Sequence, residues 1–334
     1  MSDIRNASNL HNFWERNRLS GGYLLKARTG EISYKICRAL LLFGLCFLIL
    51  QPLADKISVA FMKEADLYDA TVISIPRHFT TDNFELVNRL IDYWGSLFQT
   101  LLIVISAAIL QITSCTLAGY GFARFKFPLR NILFACVMLI IVVPPQTIMA
   151  SLYLNFRFFD IFGLFKLITG ANINMLSNVG AYLILCATAM GLKSGLYIFM
   201  LRQYFRGVPK ELEEAALVDG CGRFRTFVQI LLPDAMPMIV SCFLFSFVWQ
   251  WTDTVYTSLF LSNFKMMAVG IGSLADKLRA YYILIYGAGN IPSQGYTQAI
   301  NATGVLMCLV PLIVLYLVAQ KSFVQSLSQT GIKM

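Results

Sequence analysis

The sequence predicts an all-α polytopic membrane protein with six transmembrane helices. Of its 334 residues, 57% are hydrophobic and only 13% are charged, whereas about a quarter of a soluble domain is charged. The mean hydropathy is +0.65, so the surface of a water-soluble fold would lack polar cover. The apolar residues form continuous runs without strict alternation, which favours helices over the strands of a membrane barrel.

Six apolar segments approach or exceed the roughly 20 residues that a helix needs to cross a hydrocarbon layer about 30 Å thick. The predicted spans are residues 39–60, 95–122, 131–156, 177–201, 236–262 and 299–320. The first reaches this length only by continuing past Asp55 and Lys56. Residues 1–38 form a basic tail that is too long for a typical secretory signal. The remainder, 39–334, is predicted to be one transmembrane domain with a polar loop at 202–235.

Lysine and arginine concentrate in the tail and in the loops after the second and fourth spans. By the positive-inside rule, both termini are predicted to lie in the cytoplasm. The net charge of +9 then reflects basic flanks beside anionic lipid and requires no nucleic acid. The eight cysteines lie in spans or on the predicted cytoplasmic side, where disulfides are rare. Because no CxxC pair occurs, no metal site is expected.

Prolines interrupt two of the predicted spans. Pro144 and Pro145 lie within the third span and Pro311 within the sixth. Proline removes a backbone donor and bends a helix, and lipid tolerates this only where neighbouring groups satisfy the freed carbonyl. The bends are either packing kinks or the lining of a pathway. Gln146, beside the double proline, favours a cavity at that position.

The fifth span contains the stretch FVWQWTD, in which Trp249 and Trp251 flank Gln250 and Asp253 follows. The tryptophans are typical of an interfacial belt. They are equally compatible with a sugar-binding surface, because an indole face contacts pyranose C–H groups while amide and carboxylate groups bind hydroxyls. Both interpretations stay open, as does the role of Lys193 in the fourth span, which could pair with a neighbouring helix or snorkel.

Residues for catalysis or for an internal energy source are absent from the sequence. The two histidines, His11 and His78, lie in the tail and in a predicted outer loop. No Ser–His–Asp or Cys–His set, HExxH motif or phosphate-binding GxxxxGK[ST] loop is present, so we expect no enzymatic activity and no bound cofactor or metal. Asp253 is almost the only acid within a span, which disfavours an ion-coupled carrier.

A charged segment, PKELEEAALVDG, separates the fourth and fifth spans. Residues 209–219 are predicted to form a short helix, because Pro209 suits its first position and the glutamates suit its positive N-terminal end. Gly220 is expected to end the helix with a positive φ, and a second helix follows over 223–232. Residue types alone permit either a solvated loop or a docking hairpin on the cytoplasmic side.

The spacing of this segment is EAA-x3-G-x9-I-x-L-P, from Glu214 to Pro233. It resembles the EAA loop of bacterial ABC-type importer permeases, and the remainder of the chain agrees. Three further stretches resemble the carbohydrate-importer branch: GYGFARFKFPLRN (119–131), VVPPQTIMASLY (142–153) and FVWQWTD (247–253). The chain is most similar to the second permease subunit of maltose-type systems, over roughly residues 70–334. Cys221 stands where alanine is usual, and the tail before Arg38 is longer than is common.

This resemblance implies a role for each residue of the loop. Glu214 would be the carboxylate that docks on an arginine of a separate ATPase, Ala215 and Ala216 would allow close approach, and Gly220 would form the turn. The residues at the C-terminal end of the motif would fix the second helix against the membrane helices. The implied coupling residues are Glu214, Ala215, Ala216, Asp219, Gly220, Ile230, Leu232 and Pro233.

The resemblance also implies an assembly in the bacterial cytoplasmic membrane. A second homologous permease, two ATPase subunits that use ATP and Mg, and an extracytoplasmic solute-binding protein would accompany this chain. The solute would be a carbohydrate, with an oligosaccharide as the expected form. The weaker candidates for contacts with it are Gln146, Trp249, Gln250, Trp251 and Asp253.

Three alternatives to the carbohydrate importer remain. A polyol or glycerol-phosphate solute is disfavoured because the predicted spans carry no arginine for a phosphate. An ion-coupled secondary carrier is disfavoured by the near absence of acids within the spans. A membrane scaffold subunit would also use a docking hairpin, but it would not need kinked spans that contain polar residues.

Overall fold

In a computed structural model the protein is all-α, as the sequence predicts. The structure describes residues 17–18, 21, 23–69, 71–72, 75–160, 166–167, 170 and 172–331, so about half of the predicted tail lies outside the described residues. A 3-10 helix occupies Glu64–Tyr68. The α-helices are α1 (Tyr23–Ala60), α2 (Asp82–Ile91), α3 (Tyr93–Arg124), α4 (Arg130–Val142), α5 (Pro145–Arg157), α6 (Val179–Ala187), α7 (Ser194–Gly207), α8 (Glu211–Val218), α9 (Arg223–Asp234), α10 (Met236–Thr252), α11 (Val255–Phe260), α12 (Met267–Gly272), α13 (Leu274–Tyr286) and α14 (Gln294–Gly331).

Three described helices, α1, α3 and α14, are individually long and apolar enough to cross a membrane. The number rises to five if each of two bent pairs, α4 with α5 and α9 with α10, is counted as one span. The fourth predicted span does not meet the same criteria of length and hydropathy. The count of six spans therefore stays a prediction.

The third predicted span, residues 131–156, is not a single helix. Helix α4 ends at Val142, α5 begins at Pro145, and the two axes differ by 107°. Neither proline can donate the backbone hydrogen bond that would continue α4, and the residue before a proline avoids the α conformation. Pro144 is accordingly extended, with φ −66° and ψ 139°. The predicted kink is a complete break.

The fourth and fifth predicted spans are also interrupted. Within residues 177–201, α6 ends at Ala187 and α7 begins only at Ser194, because Ala189 and Lys193 have φ values of 57° and 61°. Within residues 236–262, α10 ends at Thr252 and Asp253 is extended. Apolar composition indicates which segments enter lipid, but it does not show where a helix inside the segment stops.

Helix α3 lies at the centre of the fold and contacts α6, α7 and α10. Of its most apolar stretch, 44% is buried, whereas none of the corresponding stretch of α1 is buried. Helix α1 contacts α14 and lies at the periphery. Its exposed leucine, isoleucine and phenylalanine side chains are suited to lipid or to another membrane subunit.

A buried polar network joins α3 to its neighbours. The Gln111 side-chain amide is fully buried and donates to the Leu192 carbonyl and to Ser194 Oγ, both at 2.7 Å. Its carbonyl oxygen accepts from Ser246 Oγ at 2.8 Å and from Gln250 Nε2 at 2.7 Å. Unsatisfied polar groups are costly in a bilayer, so this network favours one arrangement of α3, α7 and α10.

Helices α3 and α7 approach closely at Gly119. A Cβ atom at this position would lie 2.9 Å from Leu201 Cβ and 3.1 Å from Arg202 N. We expect Gly119→Ala to lower the free energy of unfolding by about 1–3 kcal/mol, because overpacking forces the two helices apart. Gly121→Ala is the matched control, since its nearest neighbour, in Phe125, is 4.0 Å away. Unfolding of the detergent-solubilised protein would measure both, and equal stabilities would contradict this explanation.

On the predicted outer side, hydrogen bonds fix the connection between α1 and α2. The Asn83 amide donates to the carbonyls of Ala60 and Met62, both at 2.9 Å. The Asp66 carboxylate accepts from the His78 backbone N–H at 2.7 Å, and His78 Nδ1 lies 2.6 Å from it. Hydrogen bonding by the His78 side chain holds the pKa of Asp66 below its usual value. These hydrogen bonds connect the described part of this segment to the C-terminal end of α1 and to α2.

Candidate functional site

The charged segment forms a helical hairpin, as the sequence predicts. Helix α8 begins at Glu211, two residues after the proline that was expected to start it. Gly220 has the expected positive φ of 82°. The Gly220 N–H donates to the Leu217 carbonyl at 3.1 Å, and the Cys221 N–H donates to the Ala216 carbonyl at 2.9 Å. These two bonds form a Schellman motif, so the turn into α9 has a defined geometry.

The two alanines of the EAA motif do not share a face. Ala216 is buried against the body of the protein and Ala215 is exposed, because successive helical residues point about 100° apart. In this structure only Ala215 is on the exposed side, and the close approach of a partner to both alanines stays a prediction. Glu214 is exposed and available to a partner, and Asp219 is exposed at the end of α8.

Large apolar side chains extend the exposed face of the hairpin. Val218 is 87% exposed and Phe224 is 77% exposed, and Leu217 is half exposed. Exposed apolar groups beside polar ones are typical of a protein-binding surface. Sequence reasoning missed these three residues because it considered only the positions of the motif, and the one available signal was the presence of bulky apolar residues in an otherwise polar loop.

An ion pair connects the hairpin to the end of α3. Arg124 Nε lies 2.7 Å from Glu213 Oε1, and the two side chains are 7% and 21% exposed. The carboxylate oxygen lies away from the N–H direction, so the contact is an ion pair without a well-aligned hydrogen bond. Arg124 Nη2 also donates to the Val208 carbonyl at 2.7 Å. Sequence reasoning missed both partners, because nothing in the sequence shows that positions this far apart meet.

Aromatic contacts hold the second half of the hairpin. Phe227 lies in a π-helical turn, Phe227–Leu231, and its ring centroid is 4.5 Å from that of Tyr120 on α3. Leu231 is fully buried, whereas its neighbours are less so. Of the three residues expected to anchor this helix, Ile230 and Leu232 are half-buried and Pro233 is exposed. Leu231 and Phe227 therefore supply most of the attachment.

A cavity of about 270 Å³ lies between the hairpin and the end of α3. Its lining combines Arg124, Glu213, Glu214 and Arg223 with the Tyr120 ring. Both signs of charge therefore meet in a recess beside the exposed surface of α8.

A second cavity, of about 350 Å³, lies where the three interrupted spans meet. It is lined by residues from each break, namely Val143–Gln146 between α4 and α5, Leu192–Lys193 before α7, and Thr252–Val255 between α10 and α11. Trp249 also lines it and is 45% exposed. Three of the five predicted pathway residues, Gln146, Trp249 and Asp253, thus come together, and we call this space the break cavity.

The other two predicted pathway residues lie elsewhere. Gln250 is 2% exposed and Trp251 is 1% exposed. Gln250 belongs to the Gln111 network described above, and the Trp251 indole donates to Cys308 Sγ at 3.0 Å. Helical rotation carries these side chains away from the face of Trp249, so they do not line the break cavity, and their assignment to the pathway stays a prediction.

The charged residues of the break cavity differ in their partners. Asp253 accepts hydrogen bonds from the N–H groups of Val255 at 3.2 Å and of Thr257 at 3.0 Å, at the start of α11. Lys193 Nζ lies 5.1 Å from the centroid of the Trp249 ring, which is a cation–π contact. No cluster of three or more potential metal ligands occurs among the described residues.

Known proteins are similar to this chain in sequence and in fold. Residues 115–328 match a family model with the description "Binding-protein-dependent transport system inner membrane component". The chain is 28% identical over 312 residues to a maltodextrin transport system permease protein of Bacillus subtilis (strain 168), covering 92% of this chain and 100% of the relative. It is 30% identical over 229 residues to a probable ABC transporter permease protein of Pyrococcus horikoshii, covering 69% and 72% respectively.

The fold also matches a chain in the crystal structure of a bacterial ABC transporter involved in the import of the acidic polysaccharide alginate. The TM-score is 0.64 at 17% identity, over 87% of this chain and 96% of that chain. This likeness concerns the fold alone, whereas the family model matches more than half of the sequence and includes the whole hairpin. The chain therefore belongs to the family of binding-protein-dependent transport system inner membrane components, which are transport permeases and not catalytic enzymes.

Proposed function

We propose that this chain is the second permease subunit of an ABC importer for a carbohydrate, with an oligosaccharide as the expected solute. The observation that carries the proposal is the hairpin of α8 and α9. It combines the complete EAA spacing with a defined turn, a buried attachment to the membrane helices and an exposed surface around Glu214. The similarity to a maltodextrin permease supports the carbohydrate class.

The hairpin is suited to transmit motion. A docked ATPase would move α8 as a rigid body, and the Arg124–Glu213 ion pair together with the Tyr120–Phe227 contact would carry that movement to α3. Because α3 contacts α6, α7 and α10, a shift of its end reaches the helices that border the break cavity. Rigid-body rearrangement at such interfaces is a common basis of switching between two states.

The complete importer in this proposal contains a homologous permease, two ATPase subunits and an extracytoplasmic solute-binding protein. The ATPases would bind ATP and Mg, and this chain would bind neither. The chain would lie in the cytoplasmic membrane of a bacterium with both termini inside, as the distribution of lysine and arginine predicts. ATP and the loaded binding protein would favour an outward-facing state, and hydrolysis would return the path to the inward-facing state.

Charge reversal at the exposed carboxylate should weaken ATPase docking. We expect Glu214→Lys to reduce the amount of ATPase recovered with the affinity-purified chain by about tenfold or more, because a like-charge contact replaces an attractive one. Glu211→Lys is the matched control, since Glu211 is also exposed in the first turn of α8 but lies outside the motif. Equal recovery from both variants would show that Glu214 is not the docking group.

The broader proposal is tested by purifying the chain from its native membrane in a detergent that preserves assemblies. Mass spectrometry should identify an ABC ATPase, a second permease and a solute-binding protein, and calorimetry of that binding protein against a sugar panel should identify the solute. Repeated recovery of this chain alone would favour a secondary carrier or channel instead.

A further inference from the structure

We propose that the break cavity is a solute subsite that binds an anionic group, a carboxylate or a phosphate, carried by the transported carbohydrate. Lys193 is the residue that binds this group. The inference rests on the proposed function and deepens it, because it names the charge of the solute and a residue that recognises it.

The three helix breaks that form the cavity lie at similar distances along their helices from the predicted cytoplasmic ends. From the ends that are predicted to face the cytoplasm, α4, α7 and α10 run for 13, 14 and 17 residues before they reach the cavity. At 1.5 Å per residue these lengths correspond to roughly 20–26 Å, within a hydrocarbon layer about 30 Å thick. Irregular backbone at this depth is tolerated where it is buried in protein or lines a cavity, and broken helices commonly form the binding sites of transporters.

Lys193 lines the break cavity and has a left-handed backbone conformation. It has φ 61° and ψ 16°, and it immediately precedes α7. The residue is half-buried, and its ammonium group contacts the Trp249 ring. The ion pairs of the described residues do not include Lys193. A half-buried cation that makes no ion pair gains more from an anionic ligand than a fully solvated surface lysine does.

The preference for an anion rests on the Lys193 side chain and not on helix dipoles. Helices α5 and α7 begin at the cavity, whereas α4 and α10 end there, and helix N- and C-termini carry opposite partial charges that offset each other. Asp253 is the one acid among the residues that line the cavity. Its carboxylate already accepts three hydrogen bonds from Val255 and Thr257, so the local N–H groups offset its negative charge.

The uncharged groups of the cavity suit a sugar ring. The Trp249 indole is 45% exposed and Lys193 Nζ lies over one of its faces; an indole face packs on the C–H surface of a pyranose. Gln146 supplies both a donor and an acceptor for hydroxyls. The cavity volume of about 350 Å³ lies within the range of roughly 300–1,000 Å³ that is typical of ligand sites. An acidic sugar residue would use all three side chains at once.

The test measures direct binding to the purified importer complex in lipid nanodiscs, prepared without the solute-binding protein. Calorimetric titration would use three probes: trigalacturonate, which carries carboxylates, glucose 6-phosphate and neutral maltotriose. We expect at least one anionic probe to bind about tenfold or more tightly than maltotriose, a difference that corresponds to one partly desolvated charge contact. The two anionic probes distinguish a carboxylate from a phosphate.

Variants of Lys193 then test whether this residue causes the tighter binding of the anionic probes. Lys193→Met should remove the preference for the anionic probe, and Lys193→Arg should retain it because the charge remains. Lys126→Met is the matched control, since Lys126 is exposed on the predicted cytoplasmic side and should leave binding unchanged. Co-purification of the ATPase with each variant would verify that the complex is intact.

The outcomes separate this inference from the proposed function. Binding of maltotriose with affinity equal to or above that of both anionic probes would overturn the charge assignment and leave the carbohydrate importer standing. An anionic preference that survives Lys193→Met would overturn the role of Lys193. Failure of all three probes to bind an intact complex would overturn the subsite itself, whereas the solute class would still be decided by calorimetry of the solute-binding protein.

Discussion

Replacing Arg124 by glutamine while Glu213 remains is expected to destabilise the protein strongly and to uncouple ATP hydrolysis from transport. The substitution leaves a carboxylate that is 21% exposed beside the end of α3 without its cation. Removing one partner of a buried ion pair costs about 3–5 kcal/mol, and the partial exposure of Glu213 places the expected loss near the lower end, about 3 kcal/mol. Chemical unfolding of the detergent-solubilised chain would measure the stability.

A double-mutant cycle isolates the contribution of the pair. In the variant that carries both Arg124→Gln and Glu213→Gln, no uncompensated charge remains, so we expect much of the lost stability to return. Transport per ATP in proteoliposomes should stay low in the double variant if the ion pair transmits motion to α3. Restored transport would indicate that the pair serves stability alone.

An exposed ion pair on α2 serves as the control for the effect of burial on the free energy of unfolding. Arg89 and Glu85 on α2 are 64% and 65% exposed, and such pairs contribute about 0–1 kcal/mol. Arg89→Gln should therefore change the free energy of unfolding little. If Arg89→Gln and Arg124→Gln had equal effects, burial would not be the cause of the expected loss at Arg124.

Gly220→Val should abolish most coupled transport while leaving the membrane helices folded. Gly220 has φ 82°, and no atom outside its immediate chain neighbours lies within 4 Å of the position that a Cβ atom would occupy. The cost therefore arises from the backbone. A left-handed conformation costs an L-residue about 1–2 kcal/mol, and a β-branched residue more, so the turn between α8 and α9 should rearrange. Solute uptake and ATPase activity of the reconstituted importer would report the loss.

Gly222→Val separates backbone strain from side-chain bulk. Gly222 has φ −69° and ψ 156°, a conformation that valine adopts readily, and a Cβ atom there would also meet open space. We expect transport by this variant to stay close to that of the unaltered protein. An equal loss in both variants would indicate that added bulk on the hairpin, rather than the geometry of the turn, impairs coupling.

Features that depend on local chemistry and composition were predictable from the sequence. Helix α3 coincides closely with the predicted span 95–122, and α14 contains the predicted span 299–320 and extends beyond both of its ends, because long apolar runs in lipid must satisfy their backbone groups internally. The spacing of the EAA motif identified the hairpin, and Gly220 was expected to take positive φ because glycine pays no Cβ penalty there. The double proline likewise indicated an interruption of the third span, although its angle of 107° did not follow from the sequence.

The tertiary structure decided which side chains meet. Nothing local distinguishes Trp249, which lines the break cavity, from Trp251, which is buried against Cys308, because both are aromatic and lie in one apolar helix. The Arg124–Glu213 pair joins segments that are remote in sequence. The hydropathy of the sequence therefore determined which segments enter the membrane. The rotation of each helix, its breaks and its contacts depended on packing against α3, because the burial of a side chain is set by its neighbours and not by its residue type alone.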